Sequence, residues 1–294
     1  MEVVIQLLIN SILAASLYAL VGASFLLIYR TCHFFDISHA MVFTAGAYFG
    51  YLFSIWLGIP LPVAGVLSVL SCALLGSALR YGLYLRLRGH GASPLVLLLT
   101  SLGTYVVLQN AVSIIFGDDN KALPRESIMP GLAVGGAHIT SVQIVIATTA
   151  TVTLGFAWLV LKKTRMGKSM RAVADDAALA DVCGISSERV ILLSAVAASF
   201  LAGGAGFLSA LDVDMFPTMG MRALLMGIVA AIVGGERSIA GVALGALVLG
   251  LTQQFGAWQM GSQWQDFTAF AVLFVFLLLR PQGFLGREMK TATV

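Results

Sequence analysis

The sequence predicts an all-α, polytopic membrane protein with about eight to ten transmembrane segments, including short broken helices. Of its 294 residues, 59% are hydrophobic and only 11% are charged, whereas soluble domains are about a quarter charged. Several apolar runs also approach or exceed the ~20 residues that are needed to cross a bilayer. We therefore expect one transmembrane domain, residues 1–294, with no soluble domain appended.

Seven apolar runs predict ordinary membrane helices, at about residues 5–29, 40–58, 61–85, 94–116, 141–161, 189–211 and 265–280. The first run has no basic segment before it, so we interpret it as a membrane helix and not as a cleaved signal peptide. Glycine pairs within the runs, such as Gly46/Gly50 and Gly203/Gly206, favour close contact between helices.

An interrupted apolar stretch, residues 223–256, lies between the last two runs. Its interruption consists of Gly234, Gly235, Glu236, Arg237 and Ser238. Glycine and charge at membrane depth are tolerated only where the backbone is shielded by protein or lines a watery cavity. We therefore expect two short helices that meet at a break, where Glu236 and Arg237 would neutralise each other.

Basic residues follow three of the predicted spans and orient the chain. They are Arg80, Arg86 and Arg88; Lys162, Lys163, Arg165, Lys168 and Arg171; and Arg280, Arg287 and Lys290. By the positive-inside rule these regions, including the C-terminus, are predicted to be cytoplasmic, and the charge-balanced loop 117–140 external. The side of the N-terminus stays open. Arg30 at the end of the first span favours an external Met1, but an irregular segment at 32–40 would change the number of crossings between Met1 and the later loops.

Several classes of function are disfavoured by the sequence. Three scattered cysteines without CxxC spacing predict neither a zinc site nor a disulfide framework. A net charge of +3 without a basic tail suits cytoplasmic loops better than nucleic-acid binding. No HExxH, GxSxG or paired catalytic carboxylates suggest an enzyme. We expect no metal or cofactor to be bound by this chain.

The most highly charged stretch, about residues 162–188, contains Gly167-Lys168-Ser169. A phosphate-binding loop requires a glycine five residues before the Gly-Lys pair, but Lys162 stands there, so a chance match is the better interpretation. The stretch instead predicts two short helices, the first after a break at Gly167. Its Met170, Val173, Ala174 and Ala177 share one helical face.

Capping residues mark the second of these short helices. Asp175 or Asp176 is a suitable N-cap, and Gly184 is a suitable end point. The product is a helical element of mixed polarity on the predicted cytoplasmic side. A solvated connector with helical character is the alternative, because charge runs usually face water.

The stretch TRMGKSMRAVADDAALADVCGI resembles the cytoplasmic coupling segment of the branched-chain amino acid permease family of bacterial ABC transporters. The matching residues are Thr164, Arg165, Gly167, Arg171, Ala172, Ala174, Asp176, Ala180, Gly184 and Ile185. Three more segments, TSLGTYVVLQN, VGGERSIAGVALG and RPQGFLG, resemble further motifs of the family in the right order. The likeness therefore covers nearly the whole chain.

The resemblance implies an inner-membrane permease subunit of a bacterial importer that passes substrate by alternating access. Its partners would be a second permease subunit (a related chain or a copy of itself), two cytoplasmic ATPase subunits that use the ATP, and an external solute-binding protein. The residues expected to couple to the ATPase are Arg165, Gly167, Met170, Arg171, Val173, Ala174, Asp176, Ala177 and Gly184.

The substrate is open between alternatives. The resemblance implies branched-chain or other hydrophobic amino acids, and related members of the family import urea or short amides. An ion-coupled secondary transporter is the alternative from another class, because broken helices and an intramembrane acid suit it as well. Such a transporter has no need of a cytoplasmic docking loop, so the loop discriminates between the two classes.

One departure from the family pattern suggests a substrate path. Where the family has I-N-F-A-H-G, this chain has Phe35-Asp36-Ile37-Ser38-His39-Ala40. We hypothesise that Asp36 and His39 border the path; the alternative is that Asp36 or Ser38 caps the following helix. Other polar or small residues are also candidates, although hydrogen bonds between helices explain the polar ones equally well: Thr100, Ser101, Thr104, Gln109, Gly234 and Gly235.

Overall fold

The computed structural model describes residues 2–124, 131–134, 137–235, 238–280 and 282–285. The chain is almost entirely helical there, as expected from its composition. Glu236 and Arg237, which were expected to neutralise each other, lie outside the described residues, and so do Arg287 and Lys290.

The helices follow one another as α1 (Glu2–Cys32), α2 (His39–Tyr51), α3 (Leu61–Leu79), α4 (Leu85–Gly89), α5 (Pro94–Phe116), α6 (Ser141–Lys163), α7 (Arg165–Asp175), α8 (Ala177–Val182), α9 (Ser187–Asp212), α10 (Met219–Gly234), α11 (Ile239–Met260) and α12 (Gln265–Leu279). A π-helical turn, Leu52–Trp56, extends α2, and another, Arg80–Tyr84, joins α3 to α4. Strands β1 (Leu132–Val134) and β2 (Ala137–Ile139) form a small antiparallel hairpin.

Within the described residues, seven helical stretches are long and apolar enough to cross a membrane. A shorter apolar helix, α10, lies there as well, and α2 with its π-helical extension covers the predicted run 40–58. Together these nine segments agree with the eight to ten that the sequence predicts. Each predicted run corresponds to one of these helices, with ends that differ by a few residues. The all-α, polytopic fold class is therefore confirmed.

The core forms where α1, α9, α10 and α11 pack together and where α2 and α3 pack against α9. Small residues allow these helices to approach closely. A Cβ added to Gly46 of α2 would meet the backbone of Gly203 on α9, and one added to Gly206 would meet the backbone of Phe43. Small residues at helix crossings are typical of membrane proteins, where close van der Waals contact drives helix association. The expectation for these glycines is confirmed.

The helix ends lie on two opposite sides of the protein, and contacts between them show which ends share a side. On one side, called the basic side below, the Arg30 guanidinium at the end of α1 lies 4.0 Å from the Asp175 carboxylate of α7. On the other, the loop side, the backbone N–H of His138 donates to Gln6 of α1 at 3.0 Å, and Lys121 pairs with Met215. The start of α1 therefore lies on the side of loop 117–140, opposite the basic side.

The predicted break between α10 and α11 is a turn on the basic side. Gly235 adopts φ +99°, which favours glycine, and a Cβ on Gly234 would meet the backbone of Gly241. The segment after α12 covers this turn, since the backbone N–H groups of Phe284 and Leu285 donate to the carbonyls of Val233 and Gly234 at 3.0 and 3.1 Å. Only α10, with 16 residues, is short; α11 has 22, so the expectation of two short helices is wrong for the second.

Candidate transport site

A cavity of about 430 Å³, called the outer cavity below, opens towards the loop side between seven helices and the loop that joins α9 to α10. Helix α1 contributes one continuous face to it, because its lining residues recur at helical spacing: Asn10, Leu13, Ala14, Leu17 and Tyr18. Helix α10 does the same with Met219, Arg222, Ala223 and Met226. The cavity is therefore built by two regular helical faces, and not by an irregular loop alone.

The base of the cavity is apolar. Phe43 of α2, Ile146 of α6, and Met219 and Met226 of α10 line it and are buried within the protein. These side chains come from three different helices, and the core packing described above holds them in place. A volume of this size is within the range of about 300–1,000 Å³ that small-molecule sites occupy.

The rim of the cavity carries both signs of charge. Asp212 is the last residue of α9 and Asp214 follows it. The Arg222 guanidinium donates to the Asp266 carboxylate at 2.8 and 3.0 Å. The Arg222 and Asp266 side chains are both about half exposed, and such exposed pairs contribute only about 0–1 kcal/mol. A ligand carboxylate can therefore compete for Arg222 at modest cost, while an ammonium group can meet the acids.

Asp36, a predicted path residue, lies in a closed network on the basic side. Its carboxylate receives the Arg80 guanidinium at 3.0 Å, the Ser38 hydroxyl at 2.6 Å and the Tyr84 hydroxyl at 3.2 Å. Arg80 also stacks on the rings of Phe34 and Tyr84, and both charged residues are only 3% exposed. The π-helical turn Arg80–Tyr84 supplies two of the three partners.

His39 lies beside this network and is also enclosed. Its Nε2 is 3.0 Å from the Ser24 hydroxyl of α1, and the void next to Asp36 and His39 measures about 10 Å³, room for at most about one water. The two residues are buried at the α1–α2 connection and do not line the 430 Å³ cavity. Their place beside the substrate path stays a prediction. The capping alternative is wrong, because the Ser38 hydroxyl at the start of α2 bonds to Asp36 and not to the helix backbone.

The polar residues of α5 form hydrogen bonds within the protein. Ser101 accepts from the Ile37 backbone N–H at 3.1 Å and so ties α5 to the α1–α2 connection. Thr100 and Thr104 donate to carbonyls of their own helix at 2.8 Å, and Gln109 is half-buried. Asp36, His39 and Ser101 therefore lie near one another at the α1–α2 connection. None of the predicted path residues, Gly234 and Gly235 included, lines the outer cavity.

The coupling stretch folds as two short helices, α7 and α8, as the sequence predicts. The break before α7 is at Thr164, whose hydroxyl accepts from the Gly167 N–H at 3.1 Å, and not at Gly167, which is inside α7 against the backbone of Leu161. Asp176 caps α8 by accepting from the Leu179 N–H at 3.0 Å, and Gly184 ends it with φ +82°. The predicted roles of Asp176 and Gly184 as helix cap and end point are confirmed.

Two of the predicted coupling side chains face inward. Met170 is 3% exposed and Val173 is fully buried, because the apolar face of α7 packs on the chain itself, and the half-buried Arg171 donates to the Leu161 carbonyl. The expectation that Met170 and Val173 offer a contact surface is corrected. Ala174 and Ala177 are half-buried, while Arg165 and Asp176 are exposed. The exposed apolar side chains are those of Leu179 (61%) and Val182 (85%) on α8.

Sequence reasoning missed the outer cavity. One signal was present: Asn10, Leu13, Ala14, Leu17 and Tyr18 place two polar groups on a single face of an otherwise apolar helix. Asp212, Asp214 and Arg222 lie near the junction of α9 and α10 in the sequence, but nothing local indicates that they share a rim. Their meeting depends on packing between distant helices.

The comparisons with known proteins agree with this architecture. The family model described as "Branched-chain amino acid transport system / permease component" matches residues 7–278. The permease protein BraD of a high-affinity branched-chain amino acid transport system from Pseudomonas aeruginosa is 30% identical, with 96% of each chain covered. The corresponding permease protein LivH from Escherichia coli is 28% identical, again over 96% of each chain.

A solved structure shares the fold. PsaBC from Streptococcus pneumoniae in complex with Fab superposes with a TM-score of 0.51 at 13% identity, covering 96% of this chain and 93% of that one. At this identity the likeness concerns the arrangement of the helices alone. Since the family model spans nearly the whole membrane domain and the relatives align from end to end, the chain belongs to the family of branched-chain amino acid transport system permease components.

Proposed function

We propose that this chain is a permease subunit of a bacterial importer and that its outer cavity receives a branched-chain or other hydrophobic amino acid. The observation that carries the proposal is the distribution of chemistry in the cavity. The apolar base, with Phe43 and Met226, suits an aliphatic side chain. The rim, with Arg222 and Asp212, suits a carboxylate and an ammonium group. The names of the curated relatives support the same class of substrate.

The two alternatives, a urea or short-amide permease and an ion-coupled secondary transporter, are less well supported. Urea and short amides have no apolar side chain to occupy its base and no net charges for its rim. An ion-coupled secondary transporter is not favoured, because the family and the curated relatives are permease components of branched-chain amino acid transport systems.

The partners follow from the same proposal. Two ATPase subunits would hydrolyse ATP and dock on α7 and α8, where the exposed Leu179 and Val182 lie beside the charges of Asp175 and Asp176. An external solute-binding protein would deliver substrate to the loop side, and a second permease subunit, a related chain or a copy, would complete the passage. In this arrangement the chain is in the bacterial inner membrane, with the basic side and the C-terminus in the cytoplasm.

Uptake by the reconstituted complex tests the substrate class. The permease would be assembled with its ATPases and binding protein in liposomes, and ATP-dependent uptake of labelled leucine, lysine and urea measured side by side. We expect leucine uptake to exceed that of lysine and of urea at least about tenfold, which corresponds to a difference of about 1.4 kcal/mol. Equal or greater uptake of urea would contradict the proposed substrate.

A further inference from the structure

Helix α8 ends in a compact turn that leads directly into α9. The backbone N–H of Gly184 donates to the Asp181 carbonyl at 3.0 Å. The backbone N–H of Ile185 donates to the Ala180 carbonyl at 2.9 Å. Gly184 has φ +82°, so the turn has both the bonds and the left-handed glycine of a Schellman motif. The backbone therefore fixes the direction in which the chain leaves α8.

The Asp181 side chain adds a second connection between the two helices. Its carboxylate accepts from the Ser187 backbone N–H and from the Ser187 hydroxyl, each at 2.8 Å. Ser187 is the first residue of α9, where backbone N–H groups have no partner within the helix and a negative charge is favourable. In the described part of the chain, the side chain of Ser186, at the N-cap, forms no capping hydrogen bond. Asp181 of α8 thus caps α9 in its place.

Helix α9 connects this turn to the outer cavity. It has 26 residues, which is about 39 Å at a rise of 1.5 Å per residue, and Asp212 at its far end lines the cavity. A Cβ added to Gly206 of α9 would meet the backbone of Phe43, and Phe43 lines the base of the cavity. A displacement of the first turn of α9 should therefore reach the cavity, because rigid elements in close contact carry coupling between distant sites.

We propose that Asp181 is a positioning residue for transport: its bonds to Ser187 join α8 to α9, so that movement of the docking helix reaches the outer cavity. The inference rests on the proposed function, because it takes α8 as the docking surface and the outer cavity as the entry point for substrate. Leu179 and Val182 would contact the ATPase directly, whereas Asp181 acts through Ser187. Without its carboxylate, α8 would still dock, but its link to α9 would be reduced to the backbone turn.

The amount of ATP hydrolysed per leucine imported tests this role in the reconstituted complex. Asp181→Ala removes both bonds and should raise this ratio at least about fivefold, the lower end of the coupling that is typical between two sites of an allosteric protein. Ser187→Ala keeps the bond from the backbone N–H and should raise the ratio less. Asp181→Asn can still accept from the N–H and can donate to the hydroxyl, so it should retain a nearly natural ratio.

A cysteine in the outer cavity gives a second readout that does not depend on the transported substrate. Val213→Cys, combined with Cys183→Ala, places an accessible thiol at the cavity end of α9. We expect a non-hydrolysable ATP analogue to change the labelling rate of this thiol when Asp181 is present, and not in Asp181→Ala. Absence of the change with Asp181 present would overturn the inference. Failure of leucine import with the change intact would contradict only the proposed substrate.

Glu188→Ala is the matched control, because Glu188 is an exposed acid in the first turn of α9 and takes no part in the bonds described above. It should leave both readouts unchanged. A purely structural role of Asp181 would lower thermal stability and assembly with the ATPase subunits, but it would not change the ratio in the complexes that assemble. That result, natural values of both readouts in Asp181→Ala, or equal changes in Glu188→Ala, would overturn the assignment.

Discussion

At the scale of single residues, the Asp36–Arg80 pair is the feature that the sequence described least well. In the sequence, Arg80 is one of the basic residues that orient the chain, and Asp36 is a candidate residue of the substrate path. A single sequence does not reveal that residues 44 positions apart meet at 3.0 Å. The need of a buried carboxylate for a cation was predictable; the identity of the cation was not.

Removing one partner of this pair should destabilise the protein strongly. Asp36→Leu leaves the Arg80 guanidinium buried without its carboxylate, and such changes cost about 3–5 kcal/mol. We expect a clear loss of thermal stability in detergent. The double variant Asp36→Leu/Arg80→Leu should recover part of this loss, because no unpaired charge remains. A single variant as stable as the natural protein would contradict the structural role assigned to the pair.

At the scale of elements, the sequence predicted the positions of the helices well, but it did not predict which surfaces they pack against. The apolar runs mark the spans, and capping residues such as Asp176 and Gly184 mark the ends of α8, because these signals are local. The apolar face of α7 was also recognised, but its partner was assigned wrongly. A helical face of Met170 and Val173 can pack on another protein or on its own chain, and the spacing is the same in both cases.

Within the predicted coupling stretch, the exposed face of α8 is expected to carry the docking function. Leu179→Asp and Val182→Asp place charge on side chains that are exposed in the isolated subunit. They should therefore reduce ATPase-coupled uptake at least about tenfold, equivalent to about 1.4 kcal/mol, without lowering the amount of permease in the membrane. Uptake and membrane abundance would be measured together in cells that express the complex.

Val173→Asp is the comparison for that experiment. It buries a carboxylate in the packed face of α7, so it should lower the amount of folded permease itself. If the α8 variants transport normally, or if they lose membrane abundance as Val173→Asp is expected to, α8 is not the docking surface.

At the scale of the whole molecule, the helix ends lie on two opposite sides. Labelling of the native cysteines can show which of these sides faces the cytoplasm. Cys183 at the end of α8 is exposed, whereas Cys32 and Cys72 are buried. If the basic side is cytoplasmic, an impermeant thiol reagent should label Cys183 only after the cells are permeabilised. Asp119→Cys, in the loop on the other side, should react in intact cells. Labelling of Cys183 in intact cells would reverse the proposed orientation.

The outer cavity also belongs to this scale, because seven helices and the loop between α9 and α10 meet to form it and no single motif encodes it. Family motifs in the sequence correctly indicated the class of protein, since they lie in local segments that keep their spacing. They did not indicate the cavity, because its lining residues come from distant parts of the chain, from Asn10 on α1 to Gln265 on α12. Its role as the entry point for substrate is the central claim of the proposed function.

Blocking the cavity tests this claim most directly. Ala223→Trp would place a bulky ring among the lining residues of α10, whereas Val152→Trp adds the same ring to an exposed apolar surface of α6. Leucine uptake by the reconstituted complex would be measured for both variants at matched levels of assembled transporter. We expect Ala223→Trp to lower uptake at least about tenfold, because the ring would fill space that the substrate needs; tenfold corresponds to a free-energy cost of about 1.4 kcal/mol. Val152→Trp should leave uptake unchanged. Full leucine uptake by Ala223→Trp would contradict the assignment of this cavity to the transport path.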